Sequence, residues 1–325
     1  MLSRVADSLF WMARYLERAE HTARVLNVQL NLMLEQPADA SVGRWNRVRR
    51  VLGMDGAQLT LDEEAGAFVR ALSFDIANRS SIVSCIMSAR DNARQVREQI
   101  SSEMWEQLNR LFHEVRRADH IAEHDAEPMD FLNAVKDGAH LFEGLTDSTM
   151  SHGEGWQFIQ IGRYLERAVN TAVLAGVHFE DFQAAGTLEA GSGPDASDYL
   201  EWIGLLKCAT AWEAYCKVYT ASIDVNRVAE FLLLNAQFPH SLRFSVDCVR
   251  DATAAVAETA PSGRSARLTR LAGRLKASLD YSQVEEVMSE GLAPFLEEVR
   301  RQCGGLHSAI YQAYIRYSIE SALEA

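Results

Sequence analysis

Apolar residues recur every three or four positions along most of the chain, which is the spacing of helices that bury one face. The first such stripe contains Met12, Leu16, Ala19, Ala23 and Leu26. No credible run of alternating strands occurs, so the pattern predicts an all-α protein. The predicted helices span 3-35, 60-75, 79-100, 102-117, 129-147, 151-180, 196-221, 225-236, 240-259, 264-279 and 283-321, the last one broken near Gly291-Pro294 and again at Gly304-Gly305.

Two segments of the chain repeat one another. Residues 9-26 (LFWMARYLERAEHTARVL) and 158-175 (FIQIGRYLERAVNTAVLA) share the run RYLERA and are offset by 149 positions. A tandem duplication is the economical explanation of this match. It predicts a helical bundle of two tandem pseudo-repeats, residues 1-148 and 149-325, that share one core and pack about a pseudo-twofold axis.

Nearly the same offset pairs other polar residues of the two predicted repeats. Asn78-Arg79 is matched with Asn226-Arg227, and Arg94 is matched with Arg243. We therefore expect each pair to be equivalent in the two halves of the fold.

Composition narrows the classes of function. Six prolines in 325 residues leave long stretches free of helix breakers. The formal net charge of −13 argues against a protein that binds nucleic acid or an anionic membrane non-specifically, because both need a basic surface. We expect neither nucleic acid nor a membrane as a partner.

The cysteines and residues 1-20 indicate the cellular compartment of the protein. Five cysteines are scattered without a CxxC pair, so the sequence predicts neither a disulfide framework nor a cysteine-rich zinc site. Residues 1-20 lack the continuous apolar segment and the cleavage site of a signal peptide. We expect a cytoplasmic protein.

Charged residues follow one side of the first predicted helix. Glu17 lies three residues after Arg14 and four before His21, next to Arg18, so one carboxylate lies among several cations. In this copy alone, a solvated helix face with ordinary ion pairs is a sufficient explanation.

The second copy favours a buried network. Arg163, Glu166 and Arg167 recur at identical spacing, while Glu20 is replaced by Val169. A freely exposed Glu-Arg pair would have diverged as well, so both copies are predicted to lie in a buried or half-buried polar network. The pattern leaves open whether that network is structural or binds a ligand.

A second cluster of charged residues contains three more arginines. Arg90, Arg94 and Arg97 are spaced to share one helical face, with too few acidic neighbours to pair all of them. Either Glu17 or an anionic ligand would then pair with them. The alternative is an ordinary polar helix surface.

These patterns make a geometric prediction. We expect Glu17 and Glu166 to be buried and each to contact an arginine from a different helix, because charged hydrogen bonds must offset the solvation that a buried carboxylate loses. Glu17 is predicted to contact an arginine of the 90-97 face, and Glu166 is predicted to contact Arg243 or Arg227.

Motifs of established chemistry are scarce. HIAEH at 120-124 matches the H-x-x-E-H pattern of inverted zinc peptidases, but its surroundings are almost wholly polar, whereas a catalytic metal helix needs an apolar back face. The sequence contains no P-loop, no dinucleotide-binding glycine motif, no nucleophile elbow and no Glu-x-x-His tetrad. We therefore predict neither a metal nor a cofactor.

Four segments, in order along nearly the whole chain, resemble the bacterial alpha-E family: MLSRVADSLFWMARYLERAEHTARVL, ARDNARQVREQISSEMWEQLN, GRYLERAVNTA and FLLLNAQFPHSLRF. The resemblance implies an all-helical fold in which Glu17-Arg18 and Glu166-Arg167 are the Glu-Arg motif of the family's name. It also implies a circularly permuted ATP-grasp protein as a neighbour or fusion partner, often with a transglutaminase-like peptidase. Such company indicates a pathway that makes or breaks amide bonds of peptides or amino-acid-like metabolites. The resemblance carries over no catalytic residues.

The leading hypothesis is a helical accessory or partner protein of an ATP-grasp amide ligase, with a polar groove that binds an anionic ligand. The alternatives are a stand-alone enzyme of amide chemistry that uses Glu17 or Glu166 as acid or base, and a purely structural scaffold. Close cations lower the pKa of a carboxyl group and make it a poor base near neutrality, which places catalysis second. The residues predicted to form the groove are Arg14, Glu17, Arg18, His21, Arg90, Arg94, Arg163, Glu166, Arg167 and Arg243.

Overall fold

The protein is all-α in the part of the chain that the computed structural model describes, namely residues 1–35, 41–54, 63–121, 128–184, 196–259 and 262–315. Within these ranges there are fourteen α-helices, one π-helical turn and no β-strand. The helices are α1 (Ser3–Glu35), α2 (Ser41–Val51), α3 (Glu63–Phe74), α4 (Ile82–Gln95), α5 (Ser102–Ile121), α6 (Pro128–Thr149), α7 (Glu154–Ala184), α8 (Ala196–Cys208), α9 (Trp212–Tyr219), α10 (Val225–Leu234), α11 (Leu242–Thr259), α12 (Gly263–Asp280), α13 (Val284–Glu290) and α14 (Leu292–Ile310), followed by the π-helical turn (Tyr311–Ile315).

The two longest helices, α1 and α7, pack directly against each other. Their apolar stripes are buried, as Leu9 and Leu16 show on α1 and Phe158 shows on α7. Gly162 of α7 permits the close approach, because a Cβ atom at this position would lie 2.3 Å from the backbone oxygen of Phe10. Any side chain there would push the two helices apart.

Each long helix is covered by its own group of shorter helices. α4 and α6 pack on α1 and both contact α5, whereas α11 and α14 pack on α7 and both contact α12. Two helices cross between these groups: α2 follows α1 in the chain but packs mainly on α7, and α8 follows α7 but packs mainly on α1. The crossings place the C-terminal ends of α2 and α8 beside the long helices.

Serine side chains fix where several helices begin. The Oγ atoms of Ser81, Ser241 and Ser262 each accept a hydrogen bond from the backbone N–H three residues later, at 3.2, 3.1 and 3.0 Å. These bonds satisfy N–H groups that the first turn of a helix leaves unpaired. The starts of α4, α11 and α12 are therefore encoded locally.

The last predicted helix, 283-321, is broken once rather than twice up to residue 315, and its last six residues lie outside the described part of the chain. The break near Gly291 is confirmed, since this glycine has a φ of 109° and separates α13 from α14. The predicted break at Gly304-Gly305 is wrong, because α14 continues through both residues. Cys303 and Leu306 are buried on either side of the glycines and hold this part of the helix against the core, which outweighs the low helix propensity of glycine.

Two other predictions about helices are corrected. The segment 196-221 is not one helix, because Thr210 adopts a φ of 53° and separates α8 from α9. The helix α2 was not predicted, since its sequence is short and contains four arginines (Arg44, Arg47, Arg49 and Arg50). None of the helices in the described ranges is both long and apolar enough to span a membrane.

The offset pairs outside the two RYLERA segments do not occupy equivalent positions. Asn78-Arg79 lies in the turn before α4, whereas Asn226-Arg227 lies in the first turn of α10. Arg94 lies in the last turn of α4, whereas Arg243 is the second residue of α11. These pairings were wrong because a two-residue or single-residue match is too short to define an alignment.

Candidate functional site

The Glu-Arg pairs of α1 and α7 bond to each other across the interface between these helices. Arg167 donates two hydrogen bonds to Glu17, from Nε to Oε1 at 2.6 Å and from Nη2 to Oε2 at 2.8 Å. In the opposite direction, Nε of Arg18 donates to Oε1 of Glu166 at 2.7 Å. Each glutamate therefore finds an arginine on the other long helix.

The Glu17 side of this network is deeply buried. Glu17 and Arg167 are each 4% exposed, so the predicted burial of Glu17 is confirmed. The predicted contact with an arginine of the 90-97 face is wrong, because α7 supplies the partner on this side of α1. Burial disfavours the charge of Arg167, but the neighbouring Glu17 carboxylate outweighs it and raises the pKa of the guanidinium.

A third carboxyl group joins the Glu17 side. Glu143 of α6 accepts hydrogen bonds from Nη2 of Arg163 at 2.5 Å and from Nη2 of Arg167 at 3.3 Å. Burial raises the pKa of Glu143 to about 7; the two arginines oppose this shift, whereas the charge of Glu17 adds to it. The cavity beside these residues measures about 20 Å³, which is room for about one water molecule. This side is closed to larger ligands.

The Glu166 side receives two arginines instead of one. Arg14 Nε donates to Oε2 of Glu166 at 2.6 Å, while Arg18 holds Oε1. Burial alone would raise the pKa of this carboxyl group, but the charges of Arg14 and Arg18 hold the pKa below its ordinary value. Glu166 is buried as predicted, whereas the predicted partners Arg243 and Arg227 are wrong. Two guanidinium groups on one carboxylate leave an excess positive charge.

Aromatic side chains hold Arg14 in place. Its guanidinium carbon lies 4.9 Å from the centre of the Trp11 ring and 5.5 Å from that of Phe10. Its Nη1 donates to Nδ1 of His307 at 3.0 Å. Burial and the charge of Arg14 lower the pKa of His307, which favours the neutral ring that can accept this bond.

The arginines of α4 do not reach either glutamate. Arg90 donates from Nε to Oδ1 of Asn109 at 2.6 Å, and its guanidinium carbon lies 4.4 Å from the centre of the Phe112 ring. Arg94 is exposed and forms an ion pair with Asp91, with 3.6 Å between Nη2 and Oδ1. The alternative interpretation, a polar helix surface, describes this cluster.

The two arginines expected near Glu166 also have other surroundings. Nη2 of Arg243 lies 3.0 Å from Oδ1 of Asp280 on α12. The guanidinium carbon of Arg227 lies 5.7 Å from the centre of the Tyr219 ring. Both belong to the outer helices rather than to the interface of α1 and α7.

A cleft of about 720 Å³ lies beside Arg18, between α1, α7, the end of α2 and the start of α14. We call it the arginine cleft, because Arg18, Arg50 and Arg300 line it together with Glu180 and Glu297. Arg50 bonds to Glu180, and Arg300 bonds to Glu297, at 2.5 and 2.6 Å between nitrogen and oxygen. The other lining residues are His21, Thr22, Val51, Leu52, Gly53, Leu72, Ser80, Val169, Asn170, Ala172, Val173, Gly176, Val177, Ala293, Pro294 and Leu296.

Two polar residues of the arginine cleft carry atoms without partners. Nε2 of His21 and Nδ2 of Asn170 are buried and find no hydrogen-bond partner in the described part of the chain. Burial lowers the pKa of His21, so its ring is neutral near pH 7. A buried polar atom without a partner costs about 1–3 kcal/mol. A ligand or ordered water that completed these bonds would recover that energy.

The paired Glu-Arg motifs agree with a comparison against protein families. The model of a family called Alpha-E, described as a predicted alpha-helical domain with a conserved ER motif, matches residues 1–315. The chain belongs to the Alpha-E family. The dipeptide Glu-Arg occurs twice in its sequence, as Glu17-Arg18 and as Glu166-Arg167, and these are the residues that bond across α1 and α7.

Proteins similar in sequence to this Alpha-E chain occur in mycobacteria. An uncharacterized protein of Mycobacterium bovis is 27% identical over 329 residues, and one of Mycobacterium tuberculosis is 26% identical over 329 residues. Each alignment covers 94% of this chain but 35% of the relative, so the chain spans about a third of the length of these curated relatives. No solved structure matches the chain.

Several residues of the Alpha-E site escaped the sequence analysis. Asn170 lies 149 positions after His21, so the repeat alignment itself was a signal for it. Glu143, His307 and Arg300 had no such signal, because nothing in their own segments places α6 and α14 against the long helices.

The described residues contain no group of three or more His, Cys, Asp or Glu side chains arranged to hold a metal ion. The HIAEH segment at 120-124 lies partly outside them, since residues 122–127 are not described.

Proposed function

We propose that this Alpha-E protein is a helical partner of an ATP-grasp amide ligase and that it binds an anionic ligand in the arginine cleft. The observation that carries the proposal is the excess of guanidinium groups at Glu166, where Arg14 and Arg18 share one carboxylate. Arg18 lines the cleft and is 27% exposed, so its positive charge is available to a ligand. Guanidinium groups match the geometry of carboxylates and phosphates.

The unpartnered polar atoms support the same ligand chemistry. The amide nitrogen of Asn170 can only donate hydrogen bonds, and the neutral ring of His21 can donate one through Nε2 in one tautomer. A ligand rich in acceptor oxygens therefore suits this part of the cleft. Glu180 and Glu297 line the same cleft and suit a ligand that also carries an ammonium group, as amino-acid-like metabolites do.

The partnership with a ligase rests on the family resemblance. The curated relatives have most of their length outside the aligned region, which leaves room for a partner domain on the same chain. A carboxylate or acyl phosphate, the kind of group that ATP-dependent amide synthesis activates, would fit the donors of the arginine cleft.

The alternative of a stand-alone enzyme with Glu17 or Glu166 as acid or base has less support. The pKa of Glu166 is held below its ordinary value, which makes it a weak base near neutrality. Glu17 lies beside a cavity with room for about one water molecule. A purely structural role suits the Glu17 side better than the Glu166 side.

We also infer that residues 1-148 and 149-325 are tandem pseudo-repeats about a pseudo-twofold axis. A twofold rotation that exchanged α1 with α7 would exchange the bond from Arg167 to Glu17 with the bond from Arg18 to Glu166. The matching neighbours of α1 and α7 support this inference. An experimental structure in which the two halves failed to superpose after such a rotation would contradict it.

Arg300 and Arg301 form a matched pair for testing ligand binding. Each bonds to a glutamate three residues earlier, Glu297 or Glu298, but Arg300 lines the arginine cleft and Arg301 does not. Calorimetric titration with acetyl phosphate should show binding that Arg300→Gln weakens and Arg301→Gln leaves unchanged. Equal effects of the two variants, or no binding to the wild type, would favour the scaffold.

Co-purification tests the partnership separately. The wild-type protein should associate with an ATP-grasp protein of the kind that the family resemblance implies as its neighbour, and should change the turnover of that protein. An absence of both effects would remove the ligase from the proposal while leaving the binding data intact.

A further inference from the structure

A second cleft, of about 440 Å³, lies on another side of α1 and is bordered by α6, the end of α8 and the start of α9. We call it the lysine cleft, because Lys136 of α6 and Lys207 of α8 line it. The whole chain has only four lysines, the other two being Lys217 and Lys276. Half of the lysines therefore meet in one cavity.

The lysine cleft contains more cations than carboxylates. Its charged lining residues are Arg24, Lys136, Lys207 and Glu213. Arg24 bonds to Glu20, whereas no ion pair within the described ranges involves either lysine of the cleft. The ammonium of Lys136 donates one hydrogen bond, to Oδ1 of Asn27 at 3.0 Å.

The surroundings of Lys136 disfavour its charge. Burial lowers the pKa of Lys136 and the nearby charge of Arg24 lowers it further, while the carboxylates of Glu20 and Asp137 oppose this shift only in part. An anion in the cleft would add to the effect of these two carboxylates and favour the charged ammonium. The cavity therefore has the size, the donors and the electrostatic imbalance of an anion site.

The lysine cleft is also built like the arginine cleft at the helix end that borders it. Thr210 closes α8 with a positive φ of 53°, and its N–H donates to the oxygen of Lys207 at 3.1 Å. Gly53 closes α2 with a φ of 68°, and its N–H donates to the oxygen of Arg50 at 3.3 Å. Each cleft thus has a cationic residue three positions before a left-handed residue.

The long helices contribute corresponding positions to the two clefts. Four lining residues of α1 lie 149 positions before four lining residues of α7. In the lysine cleft they are Arg24, Asn27, Val28 and Asn31, and in the arginine cleft they are Val173, Gly176, Val177 and Glu180. The same face of each long helix therefore forms the wall of a cleft.

We propose that the lysine cleft is a second anion-binding site, which holds a phosphate group between Lys136 and Lys207. Ammonium groups bind phosphate as compact point charges, whereas guanidinium groups bind carboxylates and phosphates through paired bonds. The two clefts would then differ in how they hold an anion. This inference stands on the lining of the lysine cleft and does not require a ligand in the arginine cleft.

The small number of lysines allows a direct test on the intact wild-type protein. Lysine labelled with ¹³C at Cε gives four signals, which single Lys→Arg variants assign. Inorganic phosphate, added at constant ionic strength against chloride, should shift the signals of Lys136 and Lys207 saturably and leave those of Lys217 and Lys276 in place. A parallel drift of all four signals, or no shift at all, would overturn the proposal.

Charge-removing variants then give the size of the effect. Lys136→Gln and Lys207→Gln should each weaken phosphate binding at least about tenfold, as expected for the loss of a charged hydrogen bond. The control Lys217→Gln removes the same charge from the exposed surface of α9 and should leave the affinity unchanged. The arginine-cleft variant Arg300→Gln should leave the lysine shifts intact, which separates failure here from failure of the proposed function.

The source of the phosphate group is distinguished by comparing ligands. Glycerol 3-phosphate and inorganic phosphate should produce the same lysine shifts if the site recognises the phosphate group alone. Tighter binding of the ester would indicate a phosphorylated metabolite, whereas exclusion of the ester would indicate the free ion. Failure of both ligands to compete with each other would contradict a single site.

Discussion

The Glu17 side and the Glu166 side of the central network carry the same two-residue motif in opposite electrostatic settings. Glu17 and Glu143 both accept from Arg167, and Arg163 completes a cluster in which carboxyl groups equal guanidinium groups. On the other side, a single carboxylate, that of Glu166, accepts hydrogen bonds from two arginines of α1. The first side adjoins a cavity of about 20 Å³, while the second adjoins a cleft of about 720 Å³.

This difference shows that the repeated motif has two different surroundings. The bidentate bond between Glu17 and Arg167 joins α1 to α7, and the cavity beside Glu17 has room for about one water molecule. At Glu166, Arg18 and Arg14 each hold one carboxylate oxygen, and Arg18 lies at the edge of a cleft. The neighbouring helices, rather than the motif itself, decide whether a cleft lies beside the pair.

The largest expected effect comes from removing the arginine of the closed side. Arg167→Met leaves Glu17 buried without its bidentate partner, which should lower the free energy of unfolding by about 3–5 kcal/mol. Arg18→Met should cost less, about 1–2 kcal/mol, because Arg14 still holds Glu166. Urea denaturation of both variants measures the difference, and equal losses would mean that the two sides are not distinct.

Both sides of the network depend on the close packing of α1 and α7, which a substitution of Gly162 would disturb. A Cβ atom there meets the backbone oxygen of Phe10, so Gly162→Ala should destabilise the protein by about 3 kcal/mol. Gly144→Ala is the control, since it lies in a helix with nothing within 4 Å of its Cβ position, and it should be neutral or slightly stabilising. Thermal unfolding that ranked the two variants in reverse would refute the close approach.

The pH dependence of stability would sharpen the comparison. The pKa of Glu143 is raised by burial from 4.5 to about 7. Between these values the unfolded chain loses a proton that the folded protein retains, so this group's contribution to stability is present at low pH and is lost as pH rises through the window. Glu143→Gln should remove a decline of about 1–3 kcal/mol between about pH 5 and about pH 8.

Urea denaturation at both pH values measures this decline in the wild type and in the variant. Glu106→Gln, on the exposed surface of α5, is a control that should keep the wild-type decline. A wild type whose stability, corrected for its other titrating groups, rose through this window would contradict the raised pKa of Glu143.

The smallest effect is expected outside the network. Arg94 is exposed and its pair with Asp91 is a surface contact, so Arg94→Ala should change the free energy of unfolding by less than about 0.5 kcal/mol. It should also leave acetyl phosphate binding unchanged. A fall of several kcal/mol in the free energy of unfolding would mean that the α4 arginines belong to the network of Glu17 and Glu166.

The sequence was sufficient for much of this structure. The periodicity of α1 correctly predicted both its ends, and the recurrence of the Glu-Arg pair in the second copy correctly predicted that Glu17 and Glu166 are buried. The identity of their partners was not predictable from the same reasoning. It depends on α1 packing against α7, through which each glutamate bonds to an arginine of the other long helix.

The clefts were harder still to predict. Arg50 and Arg300 lie on helices far apart in sequence and reach one cavity because α2 crosses to α7 and α14 packs beside it. Lys136 and Lys207 meet in the same way through α6 and α8. Such meetings depend on tertiary packing, for which a short polar helix such as α2 gives no periodic signal.

The exchange of charged partners between α1 and α7 has a consequence for how the protein unfolds. Because each long helix neutralises a charge that the other one buries, separating them exposes an uncompensated carboxylate on both at once. Partial opening is thereby penalised twice, and intermediates in which one long helix stays docked in a dry core are disfavoured. The chain should therefore lose its two halves in one cooperative transition, seen as coincident loss of helical circular dichroism and tryptophan fluorescence.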